Sequence, residues 1–260
     1  MPNRFVFVCP VFNAEKTIQQ LLFSLLAQSY KNWKIICIDD MSTDNSVQII
    51  NDFMYMLDAT KFCGYEGIGH GGNHIDIIEN TEKCWEVKNV LKGISFCESD
   101  DIVCRIDGDD WLTDVDGLQM LNAIYDSNPA IDALWTAHRW GYSTKNISGP
   151  MPTDADPYRH PWTSSHLKTF RKKLIEKIPH ENFCGENGSY IKRAGDQAIY
   201  LPVLHKAKLF GFVDAVMYHY TIEDKPETYQ TDDAKFQRSE AEFIRRRGFI
   251  DQGKTWEECI

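Results

Sequence analysis

Residues 102–112 read IVCRIDGDDWL. A short apolar run breaks off into three aspartates, Asp107, Asp109 and Asp110, set around Gly108. Such a run bounded by turn formers reads as a buried strand, so the acidic triplet falls at a strand's carboxyl end. In an open parallel sheet that is where ligands bind. Whether the flanking sequence builds such a sheet therefore decides the fold.

Towards the N-terminus, strand-like and helix-like stretches alternate. RFVFVC (4–9) and WKIICI (33–38) are apolar runs, and between them Ile18, Leu21, Leu22, Leu25 and Leu26 recur at helical spacing. The capping cluster MSTDNS (41–46) precedes Val47, Ile50, Met54 and Leu57, again at helical spacing. HIDIIE (74–79) is a third strand, Val87, Val90, Leu91 and Ile94 mark a helix, and DIVCRI (101–106) closes the series. This order predicts an α/β fold whose first half is Rossmann-like and ends near Trp111. CGYEGIGHGGNH (63–74) has no clean strand before it and no helix after it, so it reads as a mobile loop rather than a phosphate-binding fingerprint.

The second half is less regular. DALWTAHRW (132–140) and GFVDAVMYHY (211–220) read as strands, and 141–162 as a long loop. SHLKTFRKKLIEKI (165–178) reads as a helix with Leu167, Phe170, Leu174 and Ile178 on one face. A further helical pattern starts at Asp196, and the tail from Glu223 reads as a solvated helix or an ordered strap. Residues 1–112 are expected to form one half and 113–260 the other, within one continuous domain.

The 260 residues are 43% hydrophobic, enough for a sizeable core. A formal net charge of −10 disfavours a surface built mainly to grip phosphate backbones. No signal peptide is evident, and no apolar run approaches the roughly 20 residues of a membrane span, so a soluble, cytoplasmic protein is expected. Eight cysteines without a CxxC pair read as buried free thiols.

Two strand ends, at Asp39–Asp40 and at Asp107–Asp110, carry five carboxylates. They would repel one another unless protonated, hydrogen-bonded or neutralised by a cation. Magnesium or manganese takes oxygen ligands, typically one or two carboxylates plus the phosphate oxygens of a substrate. The cluster thus points to a phosphorylated partner bridged by metal. Each piece also has a plainer reading: Asp39 and Asp40 as a turn or helix cap, IDGDD as a turn around Gly108.

CPVFNAEKTIQQLLFSLLAQSYKNWKIICIDDMSTDNS (9–46), IDGDDWL (106–112) and AGDQAIYLP (194–202) together resemble the inverting family 2 glycosyltransferases of the GT-A fold. The resemblance is close over 5–50, good over 84–112 and loose over 160–220. It implies a mixed central sheet, a nucleotide-binding half and a less regular acceptor half. It places Pro10, Val11, Asn13 and Glu15 in the pocket for the donor nucleotide, Asp39 on the base, most often uracil, and Asp40 nearby. Lys88 stands where many members have arginine, without its bidentate geometry. Asp107 and Asp109 would form the DxD motif, Asp107 towards ribose and metal and Asp109 as the main ligand of Mn²⁺ or Mg²⁺, with Asp110 supporting from beside. Asp196 matches the general base, although Gly195 replaces the glutamate that usually precedes it. His219 falls where relatives bring a late histidine to the diphosphate and its metal, and His166, Lys168 and Arg171 where they bind acceptor.

The resemblance thus implies transfer of a sugar from a nucleotide-sugar, foremost a UDP-sugar, to a glycan or other hydroxyl-bearing acceptor, with Asp196 lying across the pocket from Asp109. Trp111, Tyr158 and Trp162 are candidate stacking surfaces or ordinary packing. A hydroxymethylated DNA base is a less favoured acceptor, for which the basic stretch 168–177 and Arg245–Arg247 would have to meet phosphates. Three other readings stay open: a phosphotransferase of the haloacid dehalogenase type, which usually wants threonine where Trp111 stands; a non-catalytic nucleotide- or glycan-binding module; and a glycosidase, whose paired carboxylates need no metal.

Overall fold

The first half folds as a parallel sheet because its strands are apolar on both faces and its helices on one. The computed structural model describes residues 2–62, 74–222 and 231–260. β1 (Phe5–Val11), α1 (Ile18–Leu26), β2 (Trp33–Asp39), α2 (Ser46–Phe62), β3 (Ile75–Glu79), α3 (Trp85–Ile94) and β4 (Ile102–Arg105) follow in alternation. Their strands lie in the order β3-β2-β1-β4, all parallel. Successive side chains of β1 leave opposite faces: Val6 and Val8 join one apolar cluster, Phe5, Phe7 and Cys9 the other. α3 lies on the first of these faces, and a Cβ on Gly93 would collide with Val8 and Ile38, so glycine sets how closely α3 approaches β1 and β2.

Beyond β4 the sheet changes sense. β5 (Trp111–Leu112), α4 (Gly117–Ser127), β6 (Ala133–Trp140), β7 (Lys168–Arg171), α5 (Lys172–Ile175), α6 (Gly195–Lys206), β8 (Phe210–Tyr220) and α7 (Asp232–Arg247) complete the chain. The eight-stranded order is β3-β2-β1-β4-β7-β6-β8-β5, with β7 antiparallel to both its neighbours and β6 parallel to β8. The carboxyl ends of β1 and β4 lie side by side where the strand order reverses, the crevice such sheets offer to ligands.

The helix expected over 165–178 is corrected. Residues 168–171 are a strand because β4 and β6 take up its backbone groups on either side, Val103 opposite Phe170 and Ala133 opposite Phe170. Leu174 follows on the single helical turn of α5 and Ile178 on the turn after it, which gave the run its helical spacing. The basic face expected there is corrected with it. Lys168 is 1% exposed, Lys172 pairs with Glu176 and Glu257, and Arg171 donates to the Ile131 carbonyl. Arg245 and Arg247 likewise donate to backbone carbonyls, among them those of His160 and Asn182.

The glycine-rich stretch lies outside the described residues except for His74, as does the tail over 223–230. The rest of the tail includes α7, which buries Ile244 in the core. The seven described cysteines are free thiols, six of them buried. Among the described residues no helix is long and apolar enough to cross a membrane.

Candidate functional site

The loops leaving β1 and β2 are sewn together. The Asn13 amide donates to the Ser42 hydroxyl and the Thr43 amide to the Asn13 side-chain oxygen. The Glu15 amide donates to Asp44, while Glu15 in turn accepts from Asn45. Glu15 therefore braces the loops rather than facing a ligand. Asn13, Met41 and Trp85 all have positive φ (52°, 66° and 63°), a conformation that is an outlier for a bulky residue such as Trp85. The structure holds these three turns in shape where they border one another.

Asp40 is tied to the start of α3. Its carboxylate accepts from the amides of Cys84 (2.7 Å) and Trp85 (3.1 Å) and from the Asn80 amide group, and it pairs with Lys83 at 3.2 Å. Burial pushes this carboxyl up, but those hydrogen bonds outweigh it and hold it below the usual carboxylate range. Asp39, 4% exposed, accepts from the Ser42 amide.

At the end of β4 a buried arginine organises the acidic loop. Arg105 donates to Asp107 at 2.7 Å and to Glu86 of α3 at 2.8 Å. Burial would raise the Asp107 carboxyl, yet the Arg105 guanidinium keeps it below its ordinary value. Burial lifts the Glu86 carboxyl to about 7, against the pull of Arg105, with Asp196 and Asp107 adding to the rise. Asp110, fully buried, accepts from the Tyr218 hydroxyl at 2.7 Å and the Thr221 amide at 2.8 Å. It anchors the loop to β8 and leaves Asp107 and Asp109 facing outward.

Asp196 lies in the first turn of α6, whose cap residue is Ala194. The Lys168 ammonium of β7 sits 2.6 Å from one of its oxygens and His166 3.7 Å from the other. Burial opposes, but Lys168 above all holds this carboxyl well below the ordinary range. His166 accepts at Nδ1 from Lys168 (3.3 Å), which leaves its proton on Nε2 towards Asp196. Burial and Lys168 push His166 down to about 3.

A cavity of about 610 Å³ opens at the carboxyl ends of β1 and β4. Of the residues proposed from sequence, Pro10, Val11, Asn13, Asp40, Asp107 and Asp109 line it. Asp39, Glu15, Lys88 and Asp196 stand behind or beside the lining. Lys88 turns outward to Glu82 (3.0 Å). His219 is fully buried, stacked on Trp111 (centroids 3.8 Å apart) and accepting from Arg139. Tyr158 and Trp162 pack against the core.

Asn89, which the resemblance sets beside Lys88 near the nucleotide, also lines the cavity; sequence reasoning missed Phe12, Lys83, Trp85, Glu86, Lys192 and Arg193, which complete most of the wall. The Lys83 ammonium lies 2.9 Å from the centre of the Phe12 ring, and Lys192 and Arg193 reach Trp85 from the α6 side, 5.2 and 5.0 Å from its ring. The available signal was a charge inside an apolar strand, Arg105, and a second charge inside the apolar pattern of α3, Glu86.

Among the described residues no three His, Cys, Asp or Glu side chains converge into a metal cage. Two outward carboxylates, Asp107 and Asp109, are the donor set that magnesium or manganese uses when water and substrate phosphate complete the shell. The residues present fit an ion that arrives with a diphosphate.

The sequence profile described as Glycosyl transferase family 2 matches residues 6–195. The protein EpsE of Bacillus subtilis is 30% identical over 103 residues, 38% of this chain and 31% of its own length. The chain thus spans about a third of that curated relative. Residues 1–349 of Staphylococcus aureus TarS, solved with UDP-GlcNAc, superpose with a TM-score of 0.62 at 16% identity, covering 88% of this chain and 61% of that one. The mannosyltransferase PcManGT of Pyrobaculum calidifontis, solved with GDP-Man and Mn²⁺, gives 0.53 at 15% identity, covering 88% and 61%.

Proposed function

The chain belongs to glycosyltransferase family 2 and has the GT-A fold, and on that premise we propose that it moves a sugar from a UDP-sugar to an acceptor hydroxyl with inversion at the anomeric carbon. One observation carries the reading: the cavity at the carboxyl ends of β1 and β4 combines outward Asp107 and Asp109 with the cationic side chains of Lys83, Lys192 and Arg193. That is a surface for a diphosphate and a hard cation together. The donor half, 1–112, supplies most of it, and 113–260 brings Lys192, Arg193 and the acceptor side.

The exposed Phe12 ring and Trp85 offer stacking faces to the base. Asp107 and Asp109 would hold Mn²⁺ or Mg²⁺, which when bound neutralises charge on the departing diphosphate. Arg105 keeps Asp107 ionised and fixed in direction. Asp196 accepts the proton of the incoming hydroxyl, oriented by Lys168 and His166. Because Lys168 makes it a weak base, the proton moves only as the new C–O bond forms and the hydroxyl becomes acidic. The neighbours solved with UDP-GlcNAc and with GDP-Man and Mn²⁺ support a nucleotide-sugar donor and a metal. The acceptor is a glycan or another hydroxyl-bearing molecule. With Lys168, Arg171 and Lys172 of the basic stretch bonded within the protein and only Lys173 and Lys177 exposed, hydroxymethylated DNA is less favoured as acceptor. Free buried thiols support action in a reducing compartment such as the cytoplasm.

Calorimetric titration of UDP, with GDP as comparison, into wild type and Asp109→Ala tests the reading, each with and without Mn²⁺. Binding of UDP that requires the metal and is lost in the variant is expected. Absence of binding by either nucleotide under all conditions would overturn it.

A further inference from the structure

Glu86 enters the site from α3 and is claimed by nothing in the reading above. Its carboxylate lies directly over the Cα of Gly195: a Cβ built there would overlap the Glu86 carboxyl carbon and both of its oxygens. No side chain can therefore stand at 195 while Glu86 keeps its place. The same carboxylate is 2.8 Å from the buried Arg105, whose Nη2 also donates to Asp107 at 2.7 Å. Glu86 lines the donor cavity beside Asp107, and the residue after Gly195 is Asp196. One carboxylate thus touches the first turn of α6, which carries the proposed base, and the arginine that orients the proposed ligand.

We propose that Glu86 and Gly195 are a matched pair in which α3 delivers, across the cavity wall, the carboxylate that a side chain on α6 would otherwise have to supply, and that this carboxylate positions Asp107 through Arg105 and Asp196 through the packing at Gly195. The need for a negative charge at this point follows from Arg105. Its guanidinium is 2% exposed, and a buried cation must be paired. With Glu86 present, Arg105 is shared between two carboxylates and Asp107 retains capacity for a ligand. Without it, the whole of the guanidinium charge falls on Asp107. Glu86 is thus a positioning residue, and the origin of its carboxylate on α3 or on α6 is interchangeable.

The interchange is the test, and it rests on the glycosyl-transfer reading only for its binding arm. Five proteins are compared: wild type, Glu86→Ala, Gly195→Glu, the double variant Glu86→Ala/Gly195→Glu, and Glu86→Gln as a charge-only control. Thermal melting reports the spatial pairing without any ligand. Each single variant is expected to melt below wild type, and the double variant above both singles, a coupling that independent sites do not give. Titration of UDP in Mn²⁺ at pH 8, above the value of about 7 to which burial lifts Glu86, reports the positioning. Glu86→Ala and Glu86→Gln are each expected to weaken UDP by about tenfold, and the double variant to return to within about threefold of wild type. A residue that only fills space would leave Glu86→Gln at wild-type affinity, and that result would overturn the positioning role. Additive melting losses would overturn the pairing. If wild type fails to bind UDP, the donor reading fails, and the melting coupling alone decides whether 86 and 195 are a pair.

Discussion

A carboxylate proposed to accept a proton in catalysis has to be charged beforehand, and Lys168, 2.6 Å away, favours the charged form of Asp196. Two outcomes follow for turnover, read as UDP release from a UDP-sugar. Asp196→Asn keeps the shape and removes the acceptor of the proton, so turnover should fall by roughly 10²- to 10⁴-fold. UDP affinity should hardly change, because Asp196 is not part of the cavity lining; equal losses in both would mean that Asp196 is part of the donor site. Lys168→Met removes the main cause of the depressed carboxyl, so its pKa rises. The wild-type rate should be flat on the acid side, whereas the variant should lose activity as pH falls through the raised value. A pH profile with no new acid limb would detach Lys168 from the base. At this scale the sequence was readable where chemistry is concentrated, as in the acidic triplet at Asp107–Asp110, and unreadable where it depends on partners distant in the chain. Nothing near Arg105 announces Glu86, 19 residues away, and nothing near Asp196 announces Lys168.

Helix α3 has no side-chain cap from its own neighbours; Cys84 holds the cap position, and the open amides are met by Asp40 from the end of β2. The sequence rule for an aspartate after a strand, a cap, therefore operates here at long range and on a different helix from the one that follows it. Replacing Asp40 by alanine removes a cap worth about 1–2 kcal/mol and leaves Lys83 without its carboxylate. Urea denaturation should register that loss, and because Lys83 and Trp85 line the cavity, UDP binding should weaken with it. Unchanged stability would show that water satisfies those amides equally well. The parallel elements were legible because apolar strands alternate with runs of apolar residues at helical spacing. β7 was not, since Lys168, Thr169 and Arg171 are polar and Phe170 falls at helical spacing with Leu167, Leu174 and Ile178. Their burial comes from β4 and β6, which contact them from outside the local sequence.

For the molecule as a whole, acid stability is set by buried groups of opposite tendency. His138 accepts the indole N–H of Trp140 at Nε2 (2.9 Å) and bonds Ser148 through Nδ1 (3.1 Å), an arrangement suited only to neutral imidazole. Burial, aided by Lys168, brings it down to about 4, and His166 is brought down to about 3. Both remain neutral in the fold, while their unfolded counterparts gain a proton near pH 6.5. Their stabilisation is therefore complete above that pH and is lost as pH falls towards the folded values. Glu86 acts in reverse. Held near 7 by burial, it keeps its proton in the fold where the unfolded chain, titrating near 4.5, has released it, so its contribution is complete below 4.5 and is lost as pH rises through 7. Between about pH 4.5 and 6.5 the two histidines thus make stability rise with pH, and Glu86 works against them. Glu86→Gln removes the opposing group, so stability should rise more steeply with pH over this window than in wild type. Urea titrations at half-unit steps, with EDTA present and no nucleotide, read both slopes directly. Parallel slopes in the two proteins would mean that Glu86 is ionised in the fold throughout the window, with Arg105 and not burial governing its charge.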